Sequence, residues 1–143
     1  MHWLDDAPHG LAAHAWNMHN FRKLSVWTRA RFLASDIFAS CAAVTRPDQR
    51  LVTAQLKRSA LSISANIAEG CGKGSRAEAI RYLEIACGSA AETEHHLILA
   101  ADLAILSVDR CLTLAQQAAD VRRMLRGLIE RFPAEQPRRR EGT

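Results

Sequence analysis

The sequence predicts an all-α fold, an antiparallel up-down-up-down four-helix bundle. Apolar residues recur at three- and four-residue steps along four long segments, which is the period of a helix with one buried face. Hydrophobic residues make up 48% of the 143 residues and aromatic residues only 6%. Alanine supplies much of the apolar content, which favours closely packed helices over a β-sandwich. The links between the segments are short, so successive helices are expected to be antiparallel neighbours.

The first helix is predicted from Leu24 to Val44 and the second from about Gln49 to Gly70. Pro47 lies between them and disfavours a helical conformation for the residue before it. The inward stripe of the first helix consists of Trp27, Ala30, Leu33, Ile37, Cys41 and Val44. That of the second helix consists of Val52, Leu56, Ser59, Ile63, Ile67 and Gly70.

The third helix is predicted from Ser75 to about Ala104 and the fourth from about Ser107 to Phe132. Ser75 and Glu78 form the S-x-x-E pattern of a capping box, in which the serine side chain accepts a hydrogen bond from a main-chain N–H of the first turn. The inward stripe of the third helix contains Leu83, Cys87, Ala90, Leu97 and Ala101. That of the fourth contains Leu114, Ala118, Val121, Leu125, Leu128 and Phe132.

The bundle is expected to span residues 21–132, between a flexible N-terminal extension, 1–20, and a basic C-terminal tail, 133–143. Histidine-rich tracts bind metal in some proteins, and the extension contains four histidines: His2, His9, His14 and His19. Because chain termini are commonly poorly ordered, we interpret the extension as a loosely ordered arm.

The segment 70–75, G-C-G-K-G-S, has some features of a phosphate-binding loop. A P-loop has the spacing G-x-x-x-x-G-K-[ST] and follows a strand, whereas this segment follows a predicted helix and lacks the first glycine. We interpret it as a turn in which Gly70 or Gly72 gives the second helix a left-handed C-cap. A passive anion site at the N-terminus of the third helix has three candidate ligands: Lys73, Ser75 and Arg76.

The second helix also carries apolar residues opposite its inward stripe. With successive residues 100° apart, the stripe centres on Ile63. Four apolar residues fall together on the far side: Ala54, Leu61, Ala65 and Ala68. Exposed apolar patches mark interfaces, so we predict that these residues contribute to self-association. The alternative is that the alanines serve only as good helix formers.

Two polar residues lie near the predicted core. Glu94 falls near the centre of the third helix's stripe, and Asn66 falls at the edge of the second helix's stripe. A buried carboxylate must find a hydrogen-bond donor or become protonated, and Asn66 is the candidate donor. We interpret Asn66 and Glu94 as structural polar anchors rather than catalytic groups.

The segment 92–95, E-T-E-H, has the E-x-x-H spacing of di-iron bundles. Such sites need two of these pairs and two further inward glutamates, whereas only one pair is present and it falls on the outward side. The sequence also lacks the G-x-S-x-G elbow of serine hydrolases. We therefore predict no catalytic residue, metal or cofactor. The alternative is a metal- or anion-binding bundle enzyme that uses Glu92, Glu94, His95 and Asn66.

Positive charge points to a different class of ligand. The net charge is +4 and the pI about 9.2, which permits nucleic acid but does not require it. Five cations project from the outer faces of the second and fourth helices: Lys57, Arg58, Arg122, Arg123 and Arg126. Clustered positive charge binds phosphate, so these residues are candidates for binding RNA or DNA. Acidic neighbours dilute the charge, and a solvated charged face is the alternative.

The four cysteines are expected to be reduced packing residues, because they are widely spaced: Cys41, Cys71, Cys87 and Cys111. The N-terminus lacks the basic and apolar regions of a signal peptide. No stretch approaches the roughly 20 apolar residues of a membrane span. We therefore expect a cytoplasmic protein without a membrane partner.

Three sequence patterns resemble a known family. They are F-R-K-L-x-V-W (21–27), S-I-x-A-N-I-A-E-G (62–70) and R-Y-L-x-I-A-x-G-S-x-x-E-x-E (81–94). Together they resemble the bacterial four-helix bundle proteins encoded within 23S ribosomal RNA intervening sequences, over roughly residues 20–132. That family is similar in fold to the accessory variability determinant of diversity-generating retroelements.

The resemblance implies a homo-oligomer, with a pentamer as the expected size, and no catalytic activity. It also implies a basic surface presented to nucleic acid or to a reverse transcriptase. Members commonly begin just before the F-x-K-L segment, so we hypothesise that residues 1–17 are an upstream extension from a misassigned start at Met1 rather than Met18. The resulting prediction is a non-enzymatic, oligomeric binding or scaffolding module.

Overall fold

The structure, a computed structural model, describes residues 20–132, and this part of the chain contains helices and no strand. Four α-helices follow one another: α1 (Ser25–Cys41), α2 (Pro47–Cys71), α3 (Arg76–Asp102) and α4 (Val108–Glu130). A short 3-10 helix, Phe21–Lys23, precedes α1. The predicted all-α four-helix fold is confirmed. The predicted extension (apart from Asn20) and basic tail lie outside the described residues, as do the four N-terminal histidines.

Each helix packs against two neighbours. The backbones lie close together between α1 and α2, α2 and α3, α3 and α4, and α4 and α1, but not between diagonally opposite helices. α2 and α3 are antiparallel, since Ser59 pairs with Thr93 and the later residue Ser62 pairs with the earlier residue Ser89. Among residues 20–132, no helix has an apolar stretch long enough to cross a lipid bilayer.

The helix bounds differ from the predicted ones by up to three residues, and α3 and α4 each end two residues early, at Asp102 and Glu130. α1 ends at Cys41, three residues before Val44. α2 begins at Pro47 rather than Gln49. Proline is well accepted at the first position of a helix, because the N–H that it lacks would have no partner within the helix there. The Ser75 cap lies where the sequence predicts it: Oγ of Ser75 accepts a hydrogen bond from the main-chain N–H of Glu78 at 3.2 Å.

The core is built from the predicted stripes. The largest of its fully buried aliphatic side chains are Leu33, Ile37, Leu56, Ile63, Ile67, Leu83, Leu97, Leu114 and Leu125. Alanines fill the spaces between them and are themselves fully buried: Ala30, Ala60, Ala86, Ala90, Ala100 and Ala118. Small side chains at these positions let the helix backbones approach closely. Four residues that the period also places inward are only half-buried: Trp27, Val44, Val52 and Ala101.

The contact between α2 and α3 is the most extensive in the bundle and contains a row of small polar side chains. Oγ1 of Thr93 donates to Oγ of Ser59 at 2.9 Å or to the main-chain oxygen of Ser89 at 2.8 Å. Oγ of Ser62 lies 2.8 Å from Oγ of Ser89. Buried hydroxyls are costly unless paired, so these bonds specify how α2 and α3 are aligned.

Gly70 lies where α2 comes closest to α3. A Cβ atom at this position would stand 3.1 Å from Cβ of Tyr82 and 3.2 Å from the main-chain oxygen of Ala79. The prediction of a left-handed glycine cap is wrong: Gly72, the C-cap of α2, has φ −87° and ψ −3°. α2 instead ends in a tight right-handed turn, in which Gly72 N–H donates to the carbonyl of Glu69 at 3.1 Å. Gly70 is required for close packing and not for backbone conformation.

The left-handed residue occurs instead at the α3–α4 turn. Ala104 has φ 54°. The main-chain N–H of Ile105 donates to the carbonyl of Ala100, and that of Ala104 donates to the carbonyl of Ala101. This pair of bonds is a Schellman motif, whose left-handed position is normally glycine because a Cβ is strained there.

Gly70→Ala is expected to destabilise the bundle by about 1 kcal/mol, because crowding against α3 outweighs the gain in helix propensity. Gly88→Ala is the matched control: it lies within α3 with no atom within 4 Å of an added Cβ, so it should stabilise by about 0.5–1 kcal/mol. Urea unfolding measures both. Equal stabilisation by the two substitutions would show that Gly70 is not packed as described.

Ala104→Gly is expected to stabilise the protein by about 0.5–1 kcal/mol. Relief of the left-handed strain outweighs the extra conformational entropy that glycine gives the unfolded chain, which by itself lowers stability. Ala91→Gly, in the exposed interior of α3, should instead destabilise by about 1 kcal/mol. Thermal unfolding of the two variants provides the comparison, and a loss of stability for both would contradict the left-handed assignment.

Candidate functional site

Positive charge is concentrated on the α1–α2 half of the described chain. Residues 20–71 contain eight Lys or Arg and three Asp or Glu, a net charge of +5 with histidine neutral, whereas residues 72–132 contain eight of each and are neutral. Since α1 and α2 pack against each other, the excess cations lie on two adjacent helices. This distribution makes the α1–α2 half the candidate surface for an anionic ligand.

Two of the predicted α4 arginines lie beside carboxylates of α3. Nη2 of Arg122 lies 3.2 Å from Oε2 of Glu94, and Nη1 of Arg126 lies 3.9 Å from Oε1 of Glu84. Their side chains are 41% and 55% exposed. These arginines can still reach solvent, but neighbouring negative charge weakens their attraction for phosphate.

Arg123, the third predicted arginine of α4, contacts Oδ1 of Asp120. That oxygen also accepts a hydrogen bond from Nε2 of Gln116 at 3.0 Å. The Gln116 and Arg123 hydrogen bonds, together with the positive charges of Arg123 and Arg29, lower the pKa of the Asp120 carboxyl below its usual value. Asp120 is therefore ionised at neutral pH and offsets the charge of Arg123.

The two predicted cations of α2 have no carboxylate partner within residues 20–132. Nζ of Lys57 lies 5.3 Å from the ring centroid of Phe38 on α1, a distance that permits a cation–π interaction. Arg58 is exposed. Of the five residues predicted to bind nucleic acid, these two have the positive charges that carboxylates neutralise least.

A second group of cations, along α1, was missed by sequence analysis. Cζ of Arg31 lies 4.9 Å from the ring centroid of Trp27 and 5.0 Å from that of Phe32. The rings of Phe21 and Trp27 meet edge to face, with centroids 5.0 Å apart, and Cζ of Arg22 lies 5.6 Å from the Phe21 centroid. We call these five residues the α1 array.

The spacing of residues in the sequence could have predicted part of the α1 array. Trp27 and Arg31 are four residues apart, so they are neighbours on one face of a helix, and Arg31 directly precedes Phe32. Assigning Trp27 to the core stripe hid this pattern. The structure leaves Trp27 half-buried and Phe32 56% exposed, so the rings lie partly at the surface beside the cations.

A groove of about 620 Å³ lies beside the α1 array, between α1 and α4. The α1 side chains that line it are polar or charged except for Phe32, and α4 contributes one amide and one aliphatic side chain: Ser25, Thr28, Arg29, Phe32, Asp36, Gln117 and Val121. The groove therefore offers hydrogen-bond donors and acceptors next to an exposed aromatic ring.

The outer surface of α2 carries the predicted self-association residues. Leu61 is 51% exposed, Ala54 and Ala65 are exposed, and Ala68 is half-buried. Leu51, which the sequence analysis did not include, is 70% exposed on the same helix. The surface is thus apolar and accessible, and its role in assembly stays a prediction.

Asn66 and Glu94 do not form the predicted pair. Nδ2 of Asn66 donates to the main-chain oxygen of Ser62 at 2.7 Å and to its Oγ at 2.9 Å, whereas Glu94 pairs with Arg122. The pairing is wrong because Thr93, which is fully buried, is the inward residue of this turn of α3. Glu94 follows it and is turned by 100° towards α4.

The four residues of the alternative enzyme hypothesis do not converge. Nε2 of His96 lies 3.4 Å from Oε1 of Glu92, and Glu92 and His95 are both exposed. Glu94 faces α4 and Asn66 bonds within α2. Within residues 20–132, no three His, Cys, Asp or Glu side chains form a group that could hold a metal ion. The structure therefore assembles no such site from these residues.

Two of the three candidate anion ligands have structural partners at the start of α3. Ser75 caps the helix through its Oγ. Nη2 of Arg76 donates to the main-chain oxygen of Phe132 at 3.2 Å, which ties the start of α3 to the end of the bundle. These interactions are structural, so an anion at this helix terminus stays a prediction.

Lys73, the third candidate, lies close to two other side chains. Its Nζ is 3.8 Å from Oε1 of Glu69 and 4.8 Å from the ring centroid of Tyr82. The carboxylate partly neutralises the ammonium group, and the aromatic ring occupies one side of it. Lys73 is thus less available to an anion than its position in the glycine turn suggests.

All four cysteines are buried, free thiols: Cys41, Cys71, Cys87 and Cys111. Burial raises the pKa of each of them, and that of Cys71 rises to about 11. A thiol with a raised pKa is protonated at neutral pH and is a poor nucleophile. The expectation of reduced packing residues agrees with this burial.

Comparisons with known proteins place the chain in a family. The family model described as 23S rRNA-intervening sequence protein matches residues 22–127, which include α1, α2, α3 and nearly all of α4. No curated protein matches the chain.

The fold is similar to a crystal structure at 1.70 Å resolution of a protein with unknown function from the S23 ribosomal protein family of Bacteroides thetaiotaomicron VPI-5482. The TM-score is 0.69 and the sequence identity 25%, over 73% of this chain and 98% of that chain. The chain belongs to the 23S rRNA-intervening sequence protein family.

Proposed function

We propose that this protein is a non-enzymatic binding module that assembles with copies of itself and binds nucleic acid. The observation that carries nucleic-acid binding is the net charge of +5 on residues 20–71 beside a neutral second half. Phosphate backbones bind such clustered cations and release counterions. The family description names 23S rRNA, which makes structured RNA the first ligand to test.

Self-assembly is supported by the outer surface of α2. A leucine that is 51% exposed among exposed alanines costs a monomer solvation free energy, which burial against a second copy recovers. A pentamer is the size that the family resemblance implies. A reverse transcriptase partner and a cytoplasmic location remain predictions from resemblance and from the sequence.

Leu61→Arg is expected to reduce the molar mass measured by multi-angle light scattering, because a charge replaces an apolar side chain at the proposed contact. Leu112→Arg is the matched control: Leu112 is 61% exposed on α4, away from α2. Circular dichroism checks that both variants are folded. An unchanged mass for Leu61→Arg, or equal losses in both variants, would refute the α2 interface.

Binding to structured RNA is expected to weaken steeply with salt. If three phosphates are neutralised, the affinity should fall roughly 40-fold between about 50 mM and 200 mM salt. Filter binding or fluorescence anisotropy measures this fall. Equal affinity at the two salt concentrations, or no binding at either, would remove the basis for nucleic-acid function while leaving the assembly proposal intact.

A further inference from the structure

We propose that the α1 array and its groove bind single-stranded nucleic acid, with unpaired bases stacked on Phe32 and Trp27 and phosphates held by the neighbouring cations. The proposal rests on the nucleic-acid binding proposed above. It adds the surface that makes the contact and the strandedness of the ligand.

The exposed rings provide the stacking surface. Phe32 is 56% exposed, and Trp27 is half-buried with one edge of Phe21 against it. Arg31 lies within 5.0 Å of both the Trp27 and the Phe32 ring centroids. Every nucleobase has a π face that stacks on aromatic rings and on guanidinium groups, without regard to sequence. The array thus contains the two kinds of group that single-strand binding surfaces combine.

The charges around the rings suit a polyanion. The segment from Asn20 to Cys41 carries four cations and one carboxylate: Arg22, Lys23, Arg29, Arg31 and Asp36. None of these cations forms an ion pair with a carboxylate of the described residues. Among the four cations, the positive charge of Arg29 helps to lower the pKa of the Asp120 carboxyl on α4. The remaining positive charge is free to attract phosphates.

The groove favours an unpaired base over a duplex. Its side chains include hydroxyl, amide and carboxylate groups from Ser25, Thr28, Asp36 and Gln117. These groups can satisfy the hydrogen-bonding edges that a base exposes only when it is unpaired. A base in a duplex keeps those edges and both π faces inside the stack. Single-stranded RNA and DNA share this chemistry, and a duplex does not.

A second copy of the chain fits this surface less well. In a ring such as the expected pentamer, each contact joins two different surfaces, and residues 72–132 are neutral, so that half of a neighbouring copy offers the array no net opposite charge. In a twofold contact the array would face itself, and its arginines would lie against those of the partner. Like charges at an interface cost free energy. The apolar outer surface of α2 is the better contact between copies, and the α1 array is left for a ligand of opposite charge.

Fluorescence anisotropy with labelled single-stranded RNA and DNA of about 20 nucleotides, and with duplexes of the same length, tests the inference. Phe32→Ala is expected to weaken binding to single strands by roughly 5-fold to 150-fold, as loss of one base–aromatic stack does. Ile98→Ala is the control, since Ile98 is a 50% exposed apolar residue of α3 that lies outside the array. It should leave the affinity for single strands unchanged.

The salt dependence separates phosphate contact from a structural role. Arg31→Gln should reduce the slope of log affinity against log salt by about 0.7. Arg81→Gln removes the same charge from the exposed face of α3 and should leave the slope as it is. Light scattering on each variant shows whether its assembly state has changed.

Four results would overturn the inference. If the unaltered protein binds single strands but Phe32→Ala and Arg31→Gln bind equally well, the ligand lies on another surface and only this inference fails. If duplex and single strand bind with equal affinity, base stacking is not involved. If Phe32→Ala changes the oligomer mass, the array is a contact between copies. Absence of binding to any of these nucleic acids removes the proposed nucleic-acid function as well.

Discussion

The close approach of α2 and α3 is the constraint on which the rest of the bundle depends. Gly70 lacks the Cβ that would meet Tyr82 and the backbone of Ala79, and two hydroxyl pairs farther along the helices, Ser62–Ser89 and Ser59–Thr93, align them. A shift of one turn would break both pairs and bury unpaired hydroxyls, which costs more than the bonds themselves contribute. The bond geometry therefore selects one alignment of the two helices.

That alignment decides where the charges of the molecule act. With Thr93 turned into the core, Glu94 faces α4 and meets Arg122, while Glu84 lies near Arg126. The carboxylates of α3 thus offset the arginines of α4. α1 has a single carboxylate, Asp36, and its Arg31 lies beside aromatic rings instead. Composition sets the net charge of each half, and the packing decides which of the charges neutralise one another.

Much of the fold could be predicted because it depends on local periodicity. The apolar stripes, the break near Pro47 and the cap at Ser75 are properties of residues three or four apart, and the structure contains each of them. The candidate surfaces were harder to predict. A helical wheel places Glu94 near the stripe. Consecutive residues point 100° apart, so an error of one residue in centring the stripe is enough to confuse a buried side chain, such as Thr93, with one that faces a neighbouring helix, such as Glu94. Its partner lies on another helix, which a single-helix pattern does not reveal.

The fold class, the approximate helix bounds and the outward position of Leu61 could be read from the chain alone, because they follow from the 3.6-residue period and from local capping. The packing of the helices was needed to show that Gly70 serves close packing, that the left-handed residue is Ala104, and that Arg122 meets Glu94. It also brought the α1 array together with a groove that α4 completes. These features depend on distances between residues far apart in the chain, which are set when the helices pack and their side chains compete for the same partners.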